Sequence, residues 1–416
     1  MNMTKPIIII GAGAAGIGAG LRLKSLGVQF LILEAKDRVG GRAYTDNTSL
    51  SYHWDQGCGW FHCADVNPLV RWADRLGSTY ETMDRSENAL FWSRDHWLDA
   101  EQGSSVHRHI NGRFEAIYAA ARQGIDIAIS NIPRGHGWDA AIAEEMVKLM
   151  CSDEPKFASA SGYADYDDTG INWTVTSGYG DLINRMAAGL PIRKNTIVSD
   201  ITYHKDGVRV RTNSGDIDAR AAIITVPTNV LRSRQINMPP GPVQDLLDLM
   251  EGVPCGSYEK VAIELEYYPF DPLDCESIWV QPNSETNPVY FQISEHSKPI
   301  LIAHIAGQQA RDLVSGEPND MADFAIQNLS TAFGSSFHKL IRGVASTSWQ
   351  TDPFIKGGYS YARPGAGKDR PKMIALDTGT IAFAGEAFSL PWYGTAHGAY
   401  QSGTDKAAQL VQCLGL

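Results

Sequence analysis

Four consecutive isoleucines, Ile7–Ile10, follow Pro6 near the start of the chain. An apolar run without alternation is what a strand buried on both faces requires, so this segment predicts a parallel strand inside a sheet. Gly11–Gly20 is rich in Gly and Ala and leads into a helix ending near Gly27; Val28–Leu33 is a second apolar run, closed by Glu34. The four pieces form a strand–turn–helix–strand unit. From Asn67 to about Val147 the spacing turns helical, with amphipathic stretches such as Phe114–Ala121 and Trp138–Met150. Trp173–Gly189 predicts a turn and then a helix, Thr196–Tyr203 and Val208–Thr212 strands, and Arg220–Val226 an apolar strand ending at Pro227. Glu259–Tyr267 alternates, with Val261, Ile263 and Leu265 on one face. Period two alone therefore assigns Lys260, with Glu264 and Glu266, to the solvent face. Ile300–Ala306 reads as a strand, Met321–Phe333 as a helix, Thr380–Ala384 as a buried strand, and a last helix runs from about Thr395.

The strands that look fully buried thus lie at both ends and in the middle of the chain. That distribution predicts an α/β fold in which one nucleotide-binding domain is assembled from separated segments and a second domain is inserted between them.

Length and composition permit this: 416 residues, 43% hydrophobic and 20% charged, suffice for two or three domains with large cores. The formal net charge of −11 argues against non-specific nucleic-acid binding. Six cysteines without a CxxC pair or a histidine cluster point away from zinc, and a disulfide framework is not expected in a chain this long. No signal peptide is visible, and no stretch approaches the ~18 apolar residues of a membrane span. The expectation is an unanchored cytoplasmic protein.

Gly11-Ala12-Gly13-Ala14-Ala15-Gly16 is a GxGxxG turn in its full context: strand before, helix after, second strand, then Glu34, 23 positions beyond Gly11. Gly11 permits the tight turn, Gly13 lets the backbone approach a pyrophosphate, and Gly16 allows close helix–strand packing. The helix N-terminus, with Ala15 in its first turn, offers free N–H groups to phosphates, and Glu34 would accept hydrogen bonds from a ribose. Gly40, Gly41 and Arg42 follow directly, a second set of backbone donors with a guanidinium beside it.

The acidic residue with Ala35, the Gly-Gly-Arg run and Asp55-Gln56-Gly57 together resemble the flavin amine oxidases: monoamine oxidases, polyamine oxidases and flavin-dependent lysine demethylases. The likeness covers nearly the whole chain. Gly59-Trp60-Phe61-His62 is similar to the polyamine-oxidase form, in which Trp60 and His62 would line the cavity near the flavin. Asn195–Ile201 is similar to the segment whose valine, here Val198, contacts adenine, and Ile223–Pro227 to the strand and turn after it. Gly256–Val261 resembles the strand carrying the flavin-site lysine, here Lys260. Trp349–Pro353 and Gly357–Tyr361 resemble the stretch beside the flavin. Phe383–Glu386 and Trp392–Ala399 resemble the closing segments, in which Gly385, Glu386, Thr395 and Ala396 meet the cofactor.

The resemblance implies a Rossmann-type FAD domain comprising residues 1–66, 174–255 and 346–416, with a mixed α+β substrate domain from 67–173 and 256–345. It implies transfer of a hydride equivalent from the carbon beside an amine nitrogen, hydrolysis of the imine to a carbonyl, and reoxidation of the flavin by O₂ to give hydrogen peroxide. Lys260 would hold a water at the flavin and assist reoxidation, and Tyr359 would wall the cavity. Thr395 stands where monoamine oxidases carry a second cage tyrosine; Trp392 and Tyr393 offer aromatic surface from the same loop or else pack a domain interface. The cysteine that tethers flavin in monoamine oxidases aligns with Tyr359, so non-covalent FAD is expected. Trp60 and Phe61 occupy the stretch where amino-acid oxidases carry a carboxylate-binding arginine, which favours a simple amine over an α-amino acid. The chain is short for the family, without a demethylase tower or chromatin module, so a histone substrate is not expected. Asp165, Asp167 and Asp168 either attract a distal cation or form a solvated turn before Gly170. A homodimer is compatible with the sequence. Two rivals stay open: a desaturating or ring-oxidising flavoenzyme of the phytoene desaturase or protoporphyrinogen oxidase type, and a non-catalytic nucleotide-binding protein.

Overall fold

A computed structural model describes residues 5–82, 88–271, 275–283, 287–295 and 298–416. The isoleucine run forms the middle strand of a five-stranded parallel sheet, in the order Ile381–Phe383, Ala221–Ile224, Ile7–Ile10, Phe30–Leu33, Ile192–Arg193. Ile7 and Ile9 pack into one core layer with the first and last helices, and Ile8 and Ile10 into the opposite layer. Each fully buried side chain of this kind contributes roughly 1.5–3 kcal/mol, which is why the run tolerates no polar position.

The helix Ala14–Ser25 returns from the glycine turn and lies along the C-terminal helix Ala396–Cys413. Their approach requires small residues. A Cβ on Gly403 would stand 1.9 Å from the Ala15 carbonyl oxygen, and one on Gly18 would stand 2.4 Å from that of Tyr400.

A seven-stranded sheet forms the other half: Ile341–Ser346, Tyr258–Leu265, Lys298–Ala306, Val289–Glu295, Ser277–Gln281, Ala89–Ser93, His96–Trp97. The last two strands lie inside the run that the spacing reads as helical. Ala89–Ser93 pairs in parallel with Ser277–Gln281, and Trp92 and Trp97 pack on the core of this sheet. Residues 83–87 of that run lie outside the described residues. The helices on either side do form, as Pro68–Leu76, Ala100–Arg122 and Trp138–Cys151. A three-stranded antiparallel sheet, Val198–His204, Gly207–Thr212 and Gly215–Ala219, flanks the parallel one. Among the described residues no helix is long and apolar enough to cross a membrane.

The strand Tyr258–Leu265 corrects the period-two reading. Val261, Ile263 and Leu265 are buried, and so are Lys260, Ala262 and Glu264. The segment 50–60 covers the second face: Trp54 and Leu50 pack with Ala262, Ile300 and Ile302, and Glu264 accepts the Ser51 N–H at 2.8 Å. Glu259 points the other way and accepts the N–H groups of Trp349 (3.0 Å) and Gln350 (2.8 Å), which fixes the stretch after the edge strand.

Candidate functional site

A cavity of about 490 Å³ runs from the carboxyl ends of the parallel strands to the face of the seven-stranded sheet that carries Lys260. Its size is that of a small-molecule site, and the ends of parallel strands are where open α/β sheets bind ligands.

At one end, Gly11, Gly13, Ala14 and Ala15 line the wall. No side chain caps the helix that begins there, so its first-turn N–H groups remain available. A Cβ on Gly13 would meet only the Gly40 oxygen, at 3.8 Å, which leaves room for a close-approaching ligand. Gly16 stands behind this wall: its Cβ would lie 1.9 Å from the Gly11 oxygen, so it serves packing and does not line the cavity. Gly40 and Gly41 lie against Gly13, with the Gly40 N–H donating to the Ala12 oxygen at 2.9 Å. Glu34 accepts the N–H groups of Ala12 (2.7 Å) and Lys36 (2.9 Å). Burial raises its pKa, with those N–H groups opposing. Ala35, Thr196, Val198, Val226 and Pro227 complete this end.

In the middle, Arg42 is anchored by Glu386 at 3.1 Å and by the Gly358 carbonyl. Burial is the largest influence and disfavours its charge, but Glu386, Cys255 and Cys58 together outweigh it and its pKa is raised. Glu386 also accepts the Ser360 hydroxyl (2.6 Å) and the Gly394 N–H (3.0 Å). Burial is the largest influence and opposes its charge, but Arg42, Arg370 and the hydrogen bonds from Ser360 and Gly394 together lower its pKa, so it stays ionised. Glu386 thus reaches the cavity while tying together three walls of it. Gly385 sits at φ +150°, with nothing within 4 Å of a Cβ. Gly57 packs on Arg42, its Cβ position 1.8 Å from the Arg42 oxygen, and Trp349 donates its ring N–H to the Gln56 carbonyl at 3.2 Å.

Lys260 is only 4% exposed. Its ammonium donates to the carbonyls of Gly57 (2.7 Å) and Asp55 (3.3 Å) and lies 5.7 Å from the Trp60 ring centroid. Two of its three N–H groups are thereby used, and the third is left for the cavity. Burial lowers its pKa to about 8, with Asp55 and Cys58 opposing. The aromatic walls are Trp60, Tyr258, Tyr290, Tyr359 and Tyr393. Tyr359 donates to the Leu149 carbonyl and packs 5.5 Å from Tyr258. His62 lies 2.7 Å from the Asn172 side-chain oxygen, and burial lowers its pKa, which keeps it neutral.

Thr395 caps the C-terminal helix: its hydroxyl accepts the Gly398 N–H at 3.0 Å and donates to the Trp392 carbonyl at 2.7 Å. Its hydroxyl is therefore committed to the backbone, while Thr395, Ala396 and Ala399 all face the cavity. Tyr393 lines the cavity and donates to the Tyr163 carbonyl at 3.1 Å. Trp392 does not line it, and instead packs on His397 at 5.2 Å. Asp167 and Asp168 are exposed and Asp165 is half-buried, and of the three only Asp168 lines the cavity.

His304 and Tyr290 line the cavity without any sequence signal of their own, His304 directly opposite Lys260 in the ladder. His397, inside the closing segment, follows the last helix cap with its Nε2 buried and, among the described residues, unpartnered. Burial lowers both histidine pKa values, His304 well below the ordinary value and His397 to about 3.

A long cavity with open glycine turns at one end, an anchored arginine–glutamate pair in the middle and a buried lysine among aromatics at the other fits FAD. Backbone N–H groups at the glycine end would meet a pyrophosphate, Glu34 a ribose, and the Lys260 end would take an isoalloxazine ring. A family model described as flavin containing amine oxidoreductase matches residues 14–150 and 150–411. The chain is 28% identical to polyamine oxidase 2 of Arabidopsis thaliana, over 95% of this chain and 86% of that relative. It is 26% identical to polyamine oxidase 3 of Oryza sativa subsp. japonica, over 96% and 88%. It is also 26% identical to lysine-specific histone demethylase 2 of Homo sapiens, over 98% of this chain but 53% of that protein, so it spans about half the demethylase's length.

Proposed function

The chain belongs to the family of flavin-containing amine oxidoreductases, and we propose that within it the protein is an FAD-dependent oxidase of a primary or secondary amine or a polyamine. The observation that carries this reading is the ammonium of Lys260, buried against two carbonyls in the same cavity as the glycine turns and the aromatic walls. In this reading residues 1–66, 174–255 and 346–416 hold the dinucleotide in a Rossmann-type manner, and 67–173 with 256–345 shape the substrate end. When bound, FAD supplies a two-electron acceptor that O₂ reoxidises, giving hydrogen peroxide.

The chain's own part is to select and orient. Tyr359, Tyr258, Tyr290 and Trp60 form an apolar enclosure that disfavours an ammonium and favours the neutral amine, the form able to donate. The Lys260 cation in the same enclosure adds to that preference. Neutral His62 presents a nitrogen to the cavity, its other edge being held by Asn172. The third N–H of Lys260 is free to hold a water, and the first-turn N–H groups of the C-terminal helix bring positive potential to the same wall.

Peroxide release on a panel of mono-, di- and polyamines tests the assignment. Turnover of at least one amine is expected; silence on all of them together with oxidation of a porphyrinogen would move the protein to the ring-oxidising enzymes. Trichloroacetic acid is expected to leave the yellow colour in solution, since Tyr359 stands at the tethering position; colour in the pellet would show a covalent bond.

A further inference from the structure

We propose that His304 is a positioning residue for substrate choice: held by Gln292, it accepts the Tyr258 hydroxyl hydrogen and so leaves the Tyr258 oxygen to accept the N–H of a neutral primary or secondary amine. The inference rests on the amine-oxidase reading and deepens it.

The geometry is a buried relay. His304 Nε2 lies 3.1 Å from the Gln292 side-chain oxygen, and its Nδ1 lies 2.7 Å from the Tyr258 hydroxyl. Gln292 presents an acceptor, so Nε2 carries the hydrogen and Nδ1 is bare. His304 stays neutral because burial, with the nearby Lys260 cation, disfavours its charge. The Tyr258 hydroxyl must then donate to Nδ1, and a phenol has one hydrogen to give. Toward the cavity it can only accept.

The ladder holds this arrangement in place. His304 pairs with Lys260 on one neighbouring strand and with Tyr290 on the other. Tyr258 and Lys260 are two residues apart on one strand and so share a face. The imidazole is packed among the rings of Trp60 (5.8 Å), Tyr258 (5.8 Å) and Tyr290 (5.1 Å), which prevents it from turning. All of these residues line the cavity except Gln292, which stands behind it. The wall beside the lysine therefore recognises a hydrogen-bond donor on nitrogen. A neutral tertiary amine has none, and a carbonyl or carboxylate would face an oxygen lone pair.

The test uses holoenzyme and one amine the wild type oxidises, prepared as the primary, N-methyl and N,N-dimethyl forms. Each is measured as kcat/KM, or as an inhibition constant where it is not turned over, with flavin content read from the visible spectrum. Tyr258→Phe is expected to weaken the primary and N-methyl amines about 5–10-fold, mostly in KM, and to leave the dimethyl amine within about 2-fold. His304→Phe should reproduce this pattern, and His304→Asn, whose carbonyl can stand in for Nδ1, should recover part of the loss. Should the histidine variants not fold, Tyr258→Phe, which removes only the hydroxyl and keeps the ring, still decides whether that oxygen accepts from the amine, and no loss there overturns the inference. A loss equal for all three amines, or none, overturns the inference while leaving the oxidase reading intact. A wild type that yields no peroxide from any amine overturns the oxidase reading, and this inference with it.

Discussion

Lys260 is buried at 4% exposure and meets carbonyls where a carboxylate would be the usual partner. Desolvation is the largest influence on it and lowers its pKa to about 8. An ordinary lysine stays charged to about pH 10.4, so between these values the unfolded chain binds the extra proton and the folded chain does not. Stability then rises with pH across that window. In flavin-free protein, wild type should gain on Lys260→Met by on the order of 3 kcal/mol between pH 8 and 10.5, and by little below pH 8. Urea unfolding at pH 7.5 and pH 10 reads the gap, and a constant gap would show that the lysine is solvated. In holoenzyme the same substitution should slow reoxidation by O₂ at least ~10-fold while FAD stays bound; unchanged stopped-flow reoxidation would remove the role given to the ammonium. Period two could not reveal this residue, because the segment 50–60 covers the face that alternation assigns to water. The family resemblance named Lys260, but nothing named His304. Both faces of its strand are apolar, and its partner Tyr258 lies 46 positions away.

At the scale of elements, the glycine turn was legible because each glycine answers a different steric demand. Gly13 and Gly16 stand three residues apart and should fail in opposite ways when given a methyl group. Gly13 has an ordinary negative φ and open space before it. Gly13→Ala should therefore keep the melting temperature of flavin-free protein and weaken FAD at least ~10-fold, the methyl occupying the phosphate approach. In Gly16→Ala the methyl falls 1.9 Å from a backbone oxygen. The helix must move, at a cost of about 1–3 kcal/mol or more, and the melting temperature should drop before any ligand is added. Calorimetry of flavin-free protein with a fluorescence titration of FAD separates the two. The reverse pattern would mean that the cofactor does not lie over Gly13. The hairpin Ala89–Trp97 shows where legibility ended. Its strands are 5 and 2 residues long and earn their place only through pairing with Ser277–Gln281, far along the chain. No local period carries such a pairing, so the helical spacing on either side ran through it unopposed.

At the scale of the molecule, the parallel sheet draws strands from positions 7, 30, 192, 221 and 381, and the discontinuity was visible in the sequence because four of them are unbroken apolar runs; the two-residue strand Ile192–Arg193 carries no such run and was not legible. The mixed sheet was less visible, since its strands are held by partners on both sides and its order, 341 beside 258 beside 298, follows no local rule. What the two sheets share is the cavity, whose walls alternate between them. A cofactor lying along it is bound by both halves at once. A ligand at a thousand times its dissociation constant stabilises the state that binds it by about 4 kcal/mol, so flavin removal should lower the melting temperature appreciably. Where protection is lost says more than how much. Hydrogen exchange of flavin-free against reconstituted protein should show added protection at the turns Gly11–Ala15, Gly40–Arg42 and Gly385–Ala396. It should also show it in segment 55–60 and the strand Tyr258–Leu265, across the cavity. Protection confined to the parallel-sheet turns would place only the nucleotide half of the cofactor in the cavity, with the ring elsewhere, and Lys260 would then have nothing to act upon.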